Sequence, residues 1–270
     1  MKKVILVTGA SSGIGLASAN ALHADGHIVY GASRSIKNIK NISFIPLEMD
    51  ITDDSSVNSG IEKIIKAEGR IDVLINNAGT VMAGPLYTTS VELAKKQFEV
   101  TFFGLVRVSS AVLPGMIMKH KGLVINVGSV AGLFGTPYIG TYVAAKFALE
   151  GYSQSLRMEL QNTGVDVTVV NLGDFKTNNT SSREKSLFSL PNENLKKEYE
   201  AAIEIIEKNE VNGGDPARAG EIIAKIVARS KFSHRYLIGD FGQTSLPLIV
   251  KALLPSTMFS KIINGYYNIK

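Results

Sequence analysis

At 270 residues, with 45% hydrophobic and 20% charged side chains, the chain has the balance of one large globular domain with a core of ordinary size. It contains no cysteine, which excludes disulfides, thiolate nucleophiles and Cys-ligated metals, and its four histidines (His23, His27, His120, His234) show no metal-ligand spacing. The net charge of +5 is dispersed, with no basic run longer than a pair such as Lys2-Lys3, which argues against nucleic acid as a partner.

The start, Met1-Lys2-Lys3 before Val4-Ile5-Leu6-Val7, has the charge order of a secretory leader, but its apolar run is too short and leads into a Gly/Ser turn. It reads instead as a first strand over 4–8, and with no cysteine a reducing, cytoplasmic setting is expected. Further β-branched runs follow at 28–32, 42–46, 71–75, 123–127 and 165–170, separated by stretches of helical period that include long helices over 91–120 and 139–161. The runs are apolar almost throughout, as parallel strands covered on both faces are. This pattern predicts an α/β chain with a doubly wound parallel sheet, the Rossmann fold, forming a single domain over 1–270.

The alternation stops near residue 173. Residues 174–212 are polar and turn-rich with a helical patch over 195–208, and an insertion after the sixth strand reads as a helical substrate lid. Asp215-Pro216 has the form of an N-cap followed by a first-turn proline, opening a helix to about residue 229, and 235–238 reads as a last strand. In the tail, 240–270, the segments Leu246-Pro247-Leu248-Ile249-Val250 and Ala252-Leu253-Leu254 flank Lys251 and read as a core or interface segment first, and a membrane-surface contact second. No stretch reaches the roughly 18 apolar residues of a membrane span, so no transmembrane segment is predicted.

The motifs fall at the ends of the strands. After the first strand, Thr8-Gly9-Ala10-Ser11-Ser12-Gly13-Ile14-Gly15 opens an Ala- and Leu-rich helix. Gly9 permits a tight turn, Gly13 close approach of a pyrophosphate and Gly15 close helix packing, while Ser11, Ser12 and Ile14 complete a cradle at the positive end of the helix. Between a strand and a helix, this turn points to a dinucleotide. An acid at the end of the second strand would select NAD, but the chain has Ser33 and Arg34, and a guanidinium suits a 2′-phosphate, so NADP is expected over NAD. Asp50, with Ile51, follows the third strand and is placed to accept from an adenine amino group; the alternative is an N-cap or turn residue. Tyr142 and Lys146 are four apart on a helix and share a face, where an ammonium would pull a phenol pKa down toward the working pH.

Together these residues resemble the short-chain dehydrogenase/reductase family, in its shorter subclass, over roughly residues 4–177. Asn76-Asn77-Ala78-Gly79 matches the family's segment after the fourth strand, Ser129 in Asn126-Val127-Gly128-Ser129 its serine, Tyr142 and Lys146 its Tyr-x-x-x-Lys, and Asn171-Leu172-Gly173 with Thr177 the segment after strand six. The resemblance implies that Tyr142 exchanges a proton with the alcohol oxygen, that Ser129 polarises the carbonyl, and that Lys146 lowers the Tyr pKa and binds the nicotinamide ribose. It also implies that Asn77, Ala78 and Gly79 contact the cofactor and that Gly173 and Thr177 hold the carboxamide. Two departures stand out. Thr101 occupies the place of an Asn thought to hold a relay water, and Leu172 replaces a Pro.

Val81, Met82, Leu133, Phe134, Tyr138 and Phe175, with Leu187-Phe188, are expected to face the substrate, alternatively the core. The resulting reading is an NADP-dependent reductase of hydrophobic ketones or aldehydes, or the reverse alcohol dehydrogenase, resembling family members that act on steroid, retinoid or other lipid-like substrates. The alternatives are a dinucleotide-binding homologue without turnover and a sugar-nucleotide epimerase of the longer subclass. The two long helices match the family's dimer surfaces, which implies a homodimer or homotetramer.

Overall fold

The computed structural model describes residues 2–40, 42–177, 180, 183–185 and 193–269. Seven parallel strands form one sheet: β1 (Val4–Thr8), β2 (Ile28–Ser33), β3 (Ile45–Glu48), β4 (Val73–Asn76), β6 (Gly122–Ser129), β7 (Val165–Leu172) and β9 (Arg235–Ile238), in the spatial order β3-β2-β1-β4-β6-β7-β9. The order reverses between β1 and β4, and a crevice at the carboxyl ends of the strands is the expected ligand position in such a sheet. Two short strands not foreseen from sequence, β5 (Met82–Ala83) and β8 (Glu184–Lys185), pair in parallel outside it.

Alternating side chains of β1 feed two cores. Ile5 and Val7 pack with Leu22 of α1 (Gly13–Ala24) and with Ile223 and Val227 of the helix at Pro216–Val227 on one face. Val4 and Leu6 pack on the other face with Ile61 and Ile64 of α2 (Asp54–Glu68) and Val108 and Met116 of the long helix before β6. Each fully buried aliphatic contributes about 1.5–3 kcal/mol, so the two-sided apolar strands hold the layers together. The third strand lies at Ile45–Glu48 and not at 42–46. It is an edge strand paired only with β2, so only Leu47 is buried and its pattern alternates, and Pro46 lies inside it.

α3 (Val91–Phe98), a π-helical turn (Glu99–Phe103) and α4 (Gly104–Met118) run on as one helix. The run from Val91 to Met118 is long and apolar enough to cross a membrane by length and composition, a stretch the expectation of no such segment had passed over. Its apolarity covers the sheet: Leu105, Val108, Val112 and Met116 lie in the core. α5 (Gly140–Glu159) follows β6. Beyond β7, α6 (Glu193–Val211) extends the predicted 195–208 patch at both ends, and α7 (Pro216–Val227) is capped by the Asp215 carboxylate, which accepts from the Ala217 N–H at 2.9 Å. The tail forms α8 (Ser245–Leu253) and α9 (Ser256–Tyr266).

Candidate active site

The strand ends open into one cavity of about 650 Å³. Its inner lobe is lined by Gly9, Ser11, Ser12, Gly13 and Ile14 after β1, Ser33 and Arg34 at the end of β2, and Asp50 and Ile51 after β3. The turn is built for close backbone approach. A Cβ at Gly9, where φ is +68°, would lie 2.8 Å from the Ala78 Cα, and one at Gly15 would lie 2.3 Å from the Gly9 carbonyl oxygen. Gly15 itself packs behind the cavity wall. Ser12 occupies the N-cap of α1 without a side-chain cap bond, so its hydroxyl does not occupy the first-turn amides, which are left for an anion. Thr8 and Asn77 stitch the two strands of the switch point: the Thr8 hydroxyl accepts from the Asn77 and Ala78 amides at 3.0 and 3.1 Å, and the Asn77 side chain donates to the Thr8 carbonyl at 2.9 Å. Asp50 accepts from the Thr52 amide at 2.9 Å and from its hydroxyl at 2.7 Å, the geometry of a turn residue, while it still lines the cavity.

Ser129, Tyr142 and Lys146 line the same cavity, as do Asn77, Ala78, Gly79, Gly173 and Thr177. The Ser129 hydroxyl accepts from the Ala131 amide at 3.2 Å and lies near enough to the Tyr142 hydroxyl to favour its ionised form. Lys146 is buried at 5% exposure, donates to the Val127 carbonyl at 2.7 Å, and lies 5.7 Å from the Tyr142 ring centre. Burial pushes Tyr142 up to about 12, with Ser129 acting against it, and pulls Lys146 down to about 8, with Glu150 acting against it. The expected downward pull of the ammonium on the phenol is therefore reversed. Desolvation outweighs it, and the ammonium is engaged by a backbone carbonyl.

A buried polar chain holds this centre. The Asn171 side chain donates to the Ser129 carbonyl at 3.0 Å and to Glu150 at 2.6 Å, and Glu150 also binds Arg235 at 2.6 Å. Asn76 donates to Asn126 at 2.9 Å and Asn126 to Ser153 at 2.8 Å, tying β4 and β6 to α5. Glu150 escaped the sequence reading, although its position four residues after Lys146 on the same helix face marks it as a partner.

Thr101 lies in the π-helical turn, buried and off the cavity wall. Its hydroxyl accepts from Gln97 at 2.7 Å, and Gln97 also donates to the Thr80 carbonyl at 2.7 Å and accepts from the Met82 amide at 2.8 Å. Gln97 and Thr101 thus clamp the segment after β4. That segment presents Val81 to the cavity and turns Met82 away into β5.

Of the other expected pocket residues, Phe134 and Phe175 line the outer lobe. Tyr138 stacks edge-on against Tyr199 at 5.3 Å and Leu133 accepts from Lys251, both off the wall, while Leu187-Phe188 lies outside the described residues. The tail supplies what the sequence reading missed. Leu246, Pro247 and Val250 of α8 and Ile262 and Ile263 of α9 close the outer lobe, and Phe259 packs edge-on against Phe134 at 5.8 Å. The signal was present as an apolar period at 259, 262, 263 and 266, next to the Pro247 run.

The short chain dehydrogenase model matches residues 3–187 of this chain. The chain belongs to the short-chain dehydrogenase family. Its relatives include a protein named 3-ketodihydrosphingosine reductase from Bacteroides thetaiotaomicron, 40% identical over 269 residues that cover 99% of each chain. An uncharacterized oxidoreductase, YusZ, of Bacillus subtilis is 33% identical and covers 97% of each. A solved short-chain dehydrogenase from Streptomyces avermitilis superposes with a TM-score of 0.81 at 30% identity, covering 98% of both chains. The seven-stranded Rossmann-type sheet is thus that of a family member along nearly its whole length, the tail helices included.

Proposed function

We propose that the protein is an NADPH-dependent reductase of a lipid-like ketone. The observation that carries this reading is one continuous cavity with a glycine cradle at one end, Ser129, Tyr142 and Lys146 at the waist, and an apolar outer lobe closed by α8 and α9. The cradle fits a dinucleotide, which when bound supplies the hydride. Ser129 and Tyr142 then hold the carbonyl oxygen between two hydroxyls. Because burial keeps the Tyr142 phenol protonated at neutral pH, it enters the reaction as an acid and transfers its proton to the oxygen as alkoxide character develops. Lys146, anchored on Val127, places its ammonium beside the phenol and toward a ribose.

The lipid-like character of the substrate is supported by the apolar wall and by the keto lipid in the name of the Bacteroides relative. Ile206, Asn209 and Glu210, from the segment expected as a lid, line the cavity together with the tail. Following NADPH and NADH consumption side by side with a series of long-chain and short ketones tests the reading; consumption only with short polar carbonyls would contradict it.

The choice of NADPH rests on Arg34. It is exposed at the rim of the cradle with no salt-bridge or hydrogen-bond partner among the described residues, whereas nearby Lys37 is paired with Glu48. Replacing Arg34 with Ala should raise the KM for NADPH about 10- to 100-fold, the loss of one charge-assisted contact, and move the KM for NADH little. Equal changes for both cofactors in steady-state kinetics would place the 2′-phosphate elsewhere.

A cytoplasmic homo-oligomer completes the proposal. Phe103 and Met118 of the long helix and Phe147 and Met158 of α5 are exposed, which suits helix-to-helix association. Light scattering should give at least twice the chain mass of 29.0 kDa, and a monomer mass would contradict it.

A further inference from the structure

An ion-pair cluster lies against the cavity wall beside Asp174 and Glu210. The Arg183 side chain, wholly shielded from solvent, pairs with Glu210 and lies 3.9 Å from Glu207, which also pairs with Lys185 at 2.7 Å. Thr180 donates to the other Glu210 oxygen at 2.6 Å. Asp174 is a third carboxylate beside this cluster, and the Arg183 charge acts on it without a salt bridge.

Asp174 is held in place by its backbone. Its N–H donates to the Gln243 side chain at 3.1 Å, and its carbonyl accepts from the Gly214 N–H at 2.9 Å. Its carboxylate has no hydrogen-bond or salt-bridge partner among the described residues, yet it lines the cavity together with Glu210, Tyr142 and Ser129. It lies close enough to Tyr142 and Tyr267 for its charge to act on both hydroxyls. Burial and the neighbouring Glu210 push Asp174 up to about 6 against the pull of Arg183, so it is mostly ionised at neutral pH, partly desolvated and only partly compensated. Such a group is costly to maintain unless a ligand brings the missing positive charge.

We propose that Asp174, backed by Glu210, is a subsite for a protonated amine next to the reacting carbonyl, so that the substrate is a long-chain amino ketone. This rests on the reductase reading above and narrows its substrate class. With the carbonyl oxygen between Ser129 and Tyr142, an ammonium on the adjacent carbon would face Asp174, while the alkyl chain follows Leu246, Val250 and Ile263 outward. A ketone of the same length without the amine fills the apolar lobe and leaves the carboxylate unpaired.

The test uses two ketones of equal chain length, a 2-amino-3-ketone and the same ketone without the amine, with the full-length protein and its Asp174→Asn and Asp174→Glu variants. The wild type should show the higher kcat/KM for the amino ketone. The ratio of the two values should fall about 10-fold or more in Asp174→Asn, chiefly through KM, and be largely retained in Asp174→Glu. A wild-type ratio of one or less, or a ratio unmoved by Asp174→Asn, overturns the subsite and leaves the reductase reading standing. Reduction of neither ketone by the wild type overturns both. Inhibition of the wild type needs no variant to fold: a long-chain primary amine should compete at about 10-fold lower concentration than the alcohol of equal length, and equal potency overturns the subsite.

Discussion

Replacing Tyr142 with Phe is expected to lower kcat/KM for ketone reduction by about 10²- to 10⁴-fold, the contribution of one positioned proton donor. The change is confined to the hydroxyl. The ring packs in a cluster with Ile139, Tyr138 and Tyr199 that Phe preserves, so the fold should persist, as circular dichroism would check. What is lost is the proton that reaches the product oxygen. A folded Phe variant that keeps more than about a tenth of the wild-type rate would remove Tyr142 from the proton-transfer step.

The second large effect concerns Lys146. Burial lowers it to about 8 from its ordinary 10.5, so its ammonium is present below that pH and lost above it. Reductase kcat/KM should therefore fall as pH rises through about 8, and Lys146→Met should lose about 10²-fold or more at neutral pH together with that limb of the profile. The stability linkage runs the other way. Between about 8 and 10.5 the unfolded chain binds more protons at this site than the folded chain, so this group makes folding more favourable as pH rises. Tyr142 acts oppositely but later: raised from 10.0 to about 12, it destabilises the fold only above pH 10. Loss of activity above about pH 8 without a fall in melting temperature is thus the expected signature. A wild-type profile flat through pH 9 would contradict the role given to the ammonium.

The parts of this protein legible in the sequence are those fixed by local chemistry. The strand β1 and the glycine turn after it were legible because apolar run, turn and helix start follow one another within a dozen residues. The same holds for Asp215-Pro216 at α7 and for the final strand, Arg235–Ile238. The third strand was misplaced because an edge strand buries only one side chain in four, and no burial signal marks its ends. The protonation of Tyr142 could not be read from its spacing to Lys146, since its burial depends on residues far away in sequence that line the same cavity, such as Ile206, Glu210 and Tyr267. α8 and α9 were seen as apolar segments, but their placement over the outer lobe is set by contacts more than 100 residues apart in sequence, such as Phe134 with Phe259 and Lys251 with the Leu133 carbonyl. The clamp made by Gln97 and Thr101 was hidden for the same reason: a hydroxyl on a helix does not disclose which loop it holds.

The central claim is that the waist of the cavity passes a proton to a lipid-like ketone while NADPH is consumed. It is tested most directly by following NADPH absorbance with a long-chain 3-ketone in the wild type and in Tyr142→Phe. The wild type should convert the ketone to the alcohol stoichiometrically, with a loss of about 10² or more in the variant. Equal NADPH consumption by the two proteins, or none by the wild type with any long-chain ketone, would contradict it.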